Sequence, residues 1–141
     1  MAIIQTATTI FKNNLLSGQE DFNPPTSYTY KIALYNANAV LNSTTTAYTT
    51  TNEITGTGYT AGGQVITPSV AYDNATNTAY VTFGNTTWSP ASFTCRGALV
   101  YNSTTNAACF VLNFGSDKTS NSSFTVQFPT ASSTTAIIRI S

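Results

Sequence analysis

The 141-residue sequence contains no histidine and few charged residues of either sign. Histidine is the commonest general base near neutral pH and the commonest zinc ligand, so a Ser-His-Asp or Cys-His catalytic site is excluded. Five Lys plus Arg balance five Asp plus Glu, and charged residues make up only 7% of the chain. The surface must therefore be wetted by neutral Thr, Ser, Asn and Tyr, and charge repulsion contributes little to keeping the protein monomeric.

The sequence also lacks clustered cations and long apolar runs. Proteins bind nucleic acids through groups of cations that displace phosphate counterions, and no such group is present. No stretch approaches the roughly 18 apolar residues of a membrane span, and the first residues do not have the pattern of a leader. We therefore expect synthesis in the cytoplasm without a leader, and neither a nucleic acid nor a membrane as partner. The basic residues are scattered singly as Lys12, Lys31, Arg96, Lys118 and Arg139.

The few carboxylates give little support for catalysis or metal binding. Only Glu20 and Asp21 are neighbours, and a glycosidase-like pair would have to be assembled by folding. The oxygens of Asp73 and Asp117 are possible calcium ligands, but neither segment has the dense carboxylate series of a calcium loop. The glycine-rich segment 56–63 is not followed by the Lys-Ser/Thr pair of a phosphate loop, so it is typical of turns. The sequence predicts no catalytic residue, no cofactor and no metal.

The two cysteines, Cys95 and Cys109, lie on two apolar runs that are typical of adjacent strands. If Tyr101 lies opposite Ala107, the sulfur atoms are too far apart for a disulfide, whose Cα atoms must lie within about 7 Å. We therefore predict two buried free thiols, whereas a slipped register would allow a bond.

Alternation of apolar and polar residues dominates the chain and predicts β-strands. The segment 28–34 is the clearest example, and helical spacing occurs only at 7–16, before Ser17-Gly18. We predict one domain over residues 1–141, mainly β: an antiparallel sandwich or barrel, Ig-like or jelly-roll-like, with one short helix in the N-terminal arm and helix region 1–18. The further strands are predicted at 64–72, 78–83, 92–101, 107–114, 123–128 and 135–140.

Two segments carry apolar side chains without an obvious partner inside the domain. One is the start of the chain, and the other is a long irregular loop at 36–63, which is rich in Thr, Asn and Gly. Loops of this length in compact domains are usually functional or ordered by a partner. We therefore predict an interface formed by Met1, Ile3, Ile4, Tyr48, Ile54 and Tyr59.

Five segments form a set: FKNNLLSGQEDF at 11–22, YKIALYNANAVLNSTTTAYTTTNEITGTGYTAGG at 30–63, RGALVYN at 96–102, FGSDKTS at 114–120 and FTVQFP at 124–129. Together they resemble the small structural proteins of tailed phages, which are often found among head and capsid genes. Relatives often carry a His-Asp pair after the glycine of the first segment, where this chain has Gln19-Glu20-Asp21. The family offers no catalytic residues to transfer.

The resemblance implies a non-enzymatic structural protein of a virion. Combined with the weak charge, it favours a capsid decoration or cement protein, a homotrimer that binds the major capsid protein and stabilises the shell. Zero net charge favours the capsid exterior over the DNA-filled interior. Two alternatives stay open: a tail, head-fibre or receptor-binding component that contacts host glycan or protein, and a small glycan-active enzyme.

Overall fold

The computed structural model describes residues 2–141, so Met1 of the predicted interface lies outside the described residues. The described chain is mainly β and contains one short helix near its start, which confirms the predicted fold class. The elements are β1 (Thr6–Ala7), α1 (Thr9–Leu16), β2 (Tyr30–Tyr35), β3 (Gln64–Ile66), β4 (Pro68–Asp73), β5 (Thr78–Phe83), β6 (Thr86–Trp88), β7 (Phe93–Asn102), β8 (Ala107–Ser120), β9 (Phe124–Val126) and β10 (Ile138–Ile140).

The strands form three antiparallel sheets in a sandwich-like arrangement. A central five-stranded sheet has the order β1-β8-β7-β2-β3, and two smaller sheets have the orders β10-β5-β4 and β6-β9. Buried side chains of β2, β7 and β8 pack with those of β5, β6 and β9 in one hydrophobic cluster. One face of the central sheet is therefore covered by the two smaller sheets.

Aromatic side chains fill the space between these sheets. The Phe83 ring from β5 lies 5.8 Å from the Phe110 ring of β8 and 5.7 Å from that of Phe22, measured between centroids. Trp88 from β6 is buried and makes an edge contact with Phe93 of β7 at 6.4 Å. Tilted and edge-on pairs of this kind add to the free energy gained from burial alone.

The opposite face of the central sheet is covered by segments that are not strands. Its second hydrophobic cluster includes Ala33 and Tyr35 from β2 and Leu99 from β7, together with Ile3 from the N-terminal arm and Leu41 from the long loop. The sheet is thus covered on both faces. The four consecutive residues 108–111 of β8 are all buried, as expected for an apolar run whose side chains point alternately to the two faces.

The helix begins two residues later than predicted, because residues 6–7 pair with β8 as strand β1. The Thr8 side chain accepts a hydrogen bond from the Phe11 amide at 3.1 Å and caps the helix. The same hydroxyl donates to the Ala108 carbonyl oxygen at 3.0 Å and ties the helix to β8. This eight-residue helix, the one helix in the described chain, is too short to cross a membrane.

The predicted strand at 64–72 is two strands in different sheets. It breaks at Thr67, before Pro68, which has no amide hydrogen to continue a strand ladder. Other bounds differ as well. β8 continues past Phe114 to Ser120, and β9 ends at Val126 rather than at residue 128. β10 begins at Ile138 because Ser132 and its neighbours form a hydrogen-bonded turn.

The predicted register of the β7-β8 hairpin is wrong by one residue. Tyr101 lies opposite Ala108, and the register shifts between Val100 and Tyr101, where Cys109 is the additional residue. A second shift places Cys95 opposite Lys118. A bulge of this kind has no signature in alternating sequence. Both cysteines are nevertheless free and buried, which confirms that prediction.

We expect both thiols to be inert in the folded protein and reactive after unfolding. Burial, with a smaller contribution from Asp117, raises the pKa of Cys95 to about 12, and burial raises the pKa of Cys109 further. Little thiolate is then present at pH 8, and reagent has no access. Iodoacetamide should modify neither cysteine in native protein and both in denaturant without reductant, as counted by mass spectrometry. Rapid modification of native protein would contradict this burial.

Candidate functional site

The N-terminal arm lies on the central sheet, with its two isoleucines on opposite sides. Ile3 is buried against Gly97 of β7, where a Cβ atom would come within 2.9 Å of the Ile3 side chain, and Ile3 forms a bridge with Leu41. Ile4 points outward and is 55% exposed. Of the two, only Ile4 is accessible to another protein.

The three predicted interface residues of the long loop have partners inside the domain. Ile54 is buried, and its amide donates to the Leu34 carbonyl oxygen at 3.0 Å. Tyr48 stacks on Tyr101 of β7, with ring centroids 4.7 Å apart and planes at 15°. Tyr59 is partly buried. The expectation that these side chains lack internal partners is corrected, because the loop folds back onto the sheet over a distance that sequence spacing does not reveal.

Glu53 holds this loop together through three short hydrogen bonds. Its Oε1 accepts from the Tyr59 hydroxyl at 2.6 Å and from the Gly62 amide at 2.7 Å, and its Oε2 accepts from the Tyr48 hydroxyl at 2.6 Å. Bonds to an ionised acceptor are about twice as strong as neutral ones. One carboxylate therefore joins three separate points of the loop.

The tyrosines of this cluster also bind the central sheet. The Tyr59 hydroxyl accepts from the Leu34 amide of β2 at 2.9 Å, and the Tyr101 hydroxyl of β7 donates to the Gly62 carbonyl oxygen at 2.7 Å. Burial, followed by the hydrogen bond to Glu53, raises the pKa of Tyr48 and of Tyr59, so both remain protonated donors. We call Glu53, Tyr48, Tyr59, Gly62 and Tyr101 the Glu53 cluster.

Glu20 is a second carboxylate that the fold uses. Its Oε2 accepts from the Tyr30 hydroxyl at 2.8 Å and from the Asn102 side-chain amide at 3.1 Å, whereas Oε1 is buried without a partner. Burial raises the pKa of Glu20 against the opposing effect of these hydrogen bonds. Its neighbour Asp21 accepts from the Asn23 amide. Between residues 2 and 141, no three His, Cys, Asp or Glu side chains are grouped to hold a metal ion.

A large apolar groove lies on the other side of the domain, where the sandwich is open. Its volume is about 810 Å³. Apolar side chains from three sheets line it, including Leu112, Phe114, Phe124, Val126, Phe128 and Ile138. This volume is in the range of pockets that bind ligands or peptide segments.

Three strands that border the groove have a partner on one side only. Each of β1, β9 and β10 lies at the edge of its sheet. Among residues 2–141, the charged residues that line the groove are Lys118 and Arg139, and none is acidic. The alternation of Phe124, Val126 and Phe128 was visible in the sequence, but it did not reveal that β8, β9 and β10 would meet.

An apolar strip crosses the three-stranded sheet beside the groove. Tyr72 of β4, Ala79 of β5 and Ile140 of β10 are directly opposite one another in register, so their side chains share one face. Tyr72 is 73% exposed and Ile140 is 59% exposed. The preceding row, Val70–Val81–Ile138, leads from this strip towards the core. The sheet thus extends beyond the core and exposes part of its inner face.

We expect Glu53→Ala to lower the free energy of unfolding by about 2 kcal/mol, because three donors lose a shared charged acceptor. Glu53→Gln keeps one acceptor oxygen without the charge, so its free energy of unfolding should lie between those of Glu53→Ala and the wild type. Urea denaturation at pH 7 measures both.

The matched control is Asp117→Ala, which removes the acceptor of the exposed Arg96–Asp117 ion pair at 3.4 Å. Its cost should stay below about 1 kcal/mol, as is usual for surface pairs. Equal losses for Glu53→Ala and Asp117→Ala would contradict a structural role of the Glu53 cluster.

Comparison with known proteins assigns no family. No family model matches the chain, and no curated protein or solved structure matches it. The resemblance to phage structural proteins therefore rests on the five sequence segments given above.

Proposed function

We propose that this chain is a non-enzymatic virion structural protein of a tailed phage, a decoration protein that binds and stabilises the major capsid shell. The observation that carries the proposal is the exposed apolar strip of Tyr72, Ala79 and Ile140 beside an open apolar groove. Contiguous exposed apolar surface marks protein interaction sites on otherwise polar proteins.

The strip has the properties of an interface centre. It is built on strands, whose backbone is rigid, and it contains a tyrosine, a residue type enriched at interfaces. The three strands that carry the strip contain two charged residues, Asp73 and Arg139, and strand alternation directs both side chains to the opposite face of the sheet. Little charge has to be desolvated when such a surface is covered.

The use of the carboxylates supports action by contact rather than by catalysis. The Glu53 carboxylate accepts three hydrogen bonds that organise the loop, and Glu20 is buried against Tyr30 and Asn102. Both are occupied by structural donors. A glycosidase would instead present two carboxyl groups across an open cleft, whereas in the described part of the chain the lining of the groove contains no acidic residue.

Stabilisation would follow from mass action. A protein that binds the assembled shell and not its separated subunits shifts the equilibrium towards the shell, and many copies multiply the effect. A homotrimer would enlarge the contact area of each bound unit. Net neutrality suits the outer surface of the shell, away from packaged DNA.

We expect the strip to be required for binding to shells. Particles that lack the protein should release their genomes at a lower temperature than particles to which it has been added back in many copies. The double variant Tyr72→Ser with Ile140→Ser should bind at least about tenfold more weakly and restore little heat resistance, because it removes the apolar centre of the contact. Bound copies per particle and genome-release temperature are measured together.

Leu16→Ser is the control, since Leu16 is 90% exposed at the end of α1 and lies outside the strip. It should bind like the wild type. Binding of the double variant equal to that of Leu16→Ser would exclude the strip as the contact. A few copies per particle with no change in heat resistance would favour a tail or receptor-binding component.

A further inference from the structure

We infer that the apolar groove accepts an extended, acidic peptide segment as an added β-strand. The inference rests on the proposed function in one respect only: if the protein binds the capsid shell, the segment comes from the shell protein. The binding mode itself is argued from the edge of β8, the lining of the groove and its charges.

The outer edge of β8 lacks a strand where the groove begins. β1 pairs only with Phe110 and Val111, although β8 continues to Ser120. Beyond β1, the Asn113 amide donates to the Gln5 side-chain oxygen at 3.1 Å, and the Gly115 amide donates to the Asn113 side-chain oxygen at 2.8 Å. Side chains therefore take the place of strand carbonyls at this edge, and an added strand would continue the line of β1.

The lining of the groove fits alternate side chains of such a strand. Leu112 and Phe114 of β8 face the groove at every second residue, as do Phe124 and Val126 of β9. A strand presents every second side chain to one face, so apolar residues at alternate positions would enter the groove. The free edges of β9 and β10 offer further main-chain groups on the opposite wall.

The charges of the groove select an acidic segment. Lys118 and Arg139 line it, and neither forms an ion pair, because the one ion pair within residues 2–141 joins Arg96 to Asp117. Lys118 donates to the Ser116 hydroxyl and Arg139 to the Thr134 carbonyl oxygen, both neutral acceptors. A carboxylate on the incoming strand would form an ion pair with Lys118. Arg139 alternates with Ile138 and Ile140 on β10, so its side chain is directed to the other face of that strand, and it adds positive potential at the edge of the groove.

A second copy of this chain is a poor source of that carboxylate. Glu20 and Glu53 accept hydrogen bonds from their own domain, and Asp117 is paired with Arg96. Asp73 accepts from the Ala75 amide and from the hydroxyls of Thr76 and Ser133. Asp21, the last acid, accepts from the amide of Asn23 in a bend rather than a strand. The segment therefore comes from a different protein.

Synthetic peptides test the inference on the isolated protein. The probe is a peptide of about a dozen residues with alternating Val and Thr and a pair of Glu, and its matched control carries Lys in place of Glu. A third peptide has the acidic sequence with N-methylated amides at alternate positions, which removes strand hydrogen bonds and keeps the side chains. Calorimetry measures binding, and fluorescence of Trp88, whose ring lies 6.0 Å from that of Phe124, reports on the groove.

We expect the acidic peptide to bind, and the basic and N-methylated peptides to bind at least about tenfold more weakly. Lys118→Glu should weaken binding of the acidic peptide about tenfold and strengthen binding of the basic one, because attraction becomes repulsion. Arg139→Glu should act in the same direction with a smaller effect, because its side chain is directed to the other face of β10. Lys12→Glu is the matched control, since Lys12 is exposed on α1 and does not line the groove; it should leave both affinities unchanged. All three substituted residues are exposed, so folding should be preserved.

Several results would overturn the inference. Equal binding of the acidic and N-methylated peptides would exclude strand addition. Binding of dodecanoate with no binding of any peptide would assign the groove to small amphipathic anions. Self-association that Lys118→Glu abolishes, without peptide binding, would assign it to a second copy. Shell stabilisation that persists when Lys118→Glu and Arg139→Glu are combined would separate the groove from the proposed function, which would then stand on the apolar strip alone.

Discussion

The fold depends on a loop that covers the second face of the central sheet. Sandwich-like domains usually bury one face of each sheet and leave the other to solvent, but here consecutive residues of β2, of β7 from Gly97 onward and of β8 from Ala108 to Val111 are buried on both faces. The loop at 36–63 has few apolar residues of its own, so hydrophobic burial contributes less to holding it in place. Glu53 supplies the missing constraint, because its carboxylate fixes Tyr48, Tyr59 and Gly62 at one point beside the sheet.

This arrangement determines where the molecule remains open. The arm and Ala39, Leu41 and Tyr48 of the long loop cover one face of the central sheet. The small sheets, together with Ile54 and Tyr59 of the same loop, only partly cover the other face. The inner face of the three-stranded sheet therefore extends past the core at Tyr72 and Ile140, and the gap between β8, β9 and β10 forms the groove. A chain with so few charges does not mask these surfaces with lysine or glutamate, which is the usual protection of sheet edges. Binding to another protein is the physical use of such surfaces that we propose.

Much of the secondary structure could be predicted from local patterns. The alternation at 28–34 and 78–83 predicted β2 and β5 closely, and the spacing around Phe11 predicted the helix. The unbroken apolar run from Ala108 to Leu112 is also typical of a central strand that is covered on both faces. These features depend on neighbours in sequence, which periodicity reports directly.

The tertiary features could not be predicted in the same way. Glu53 is one of five scattered acids, and its role depends on tyrosines that only the folded loop brings to it. The bulge at Cys109 shifts the register of β7 and β8, and the break at Thr67 places β3 and β4 in different sheets. Neither interrupts the apolar pattern enough to be recognised. The groove requires β8, β9 and β10 to meet, so it is a property of topology and not of a motif. In the sequence, Tyr72 and Ile140 have the pattern of ordinary strand residues. Only the register shows that they flank Ala79 on one face of the sheet.

Native-state hydrogen exchange tests most directly whether the loop is part of the cooperative core. The amides of Leu34, Ile54 and Gly62 donate to Tyr59, to Leu34 and to Glu53, respectively. If the Glu53 cluster holds the loop on the sheet, these three amides should exchange only through global unfolding, with the same free energy as the paired amides of β7 and β8. Exchange of Ile54 and Gly62 through local opening, while the β7-β8 amides remain protected, would show that the loop is not bound in this way and would contradict the account.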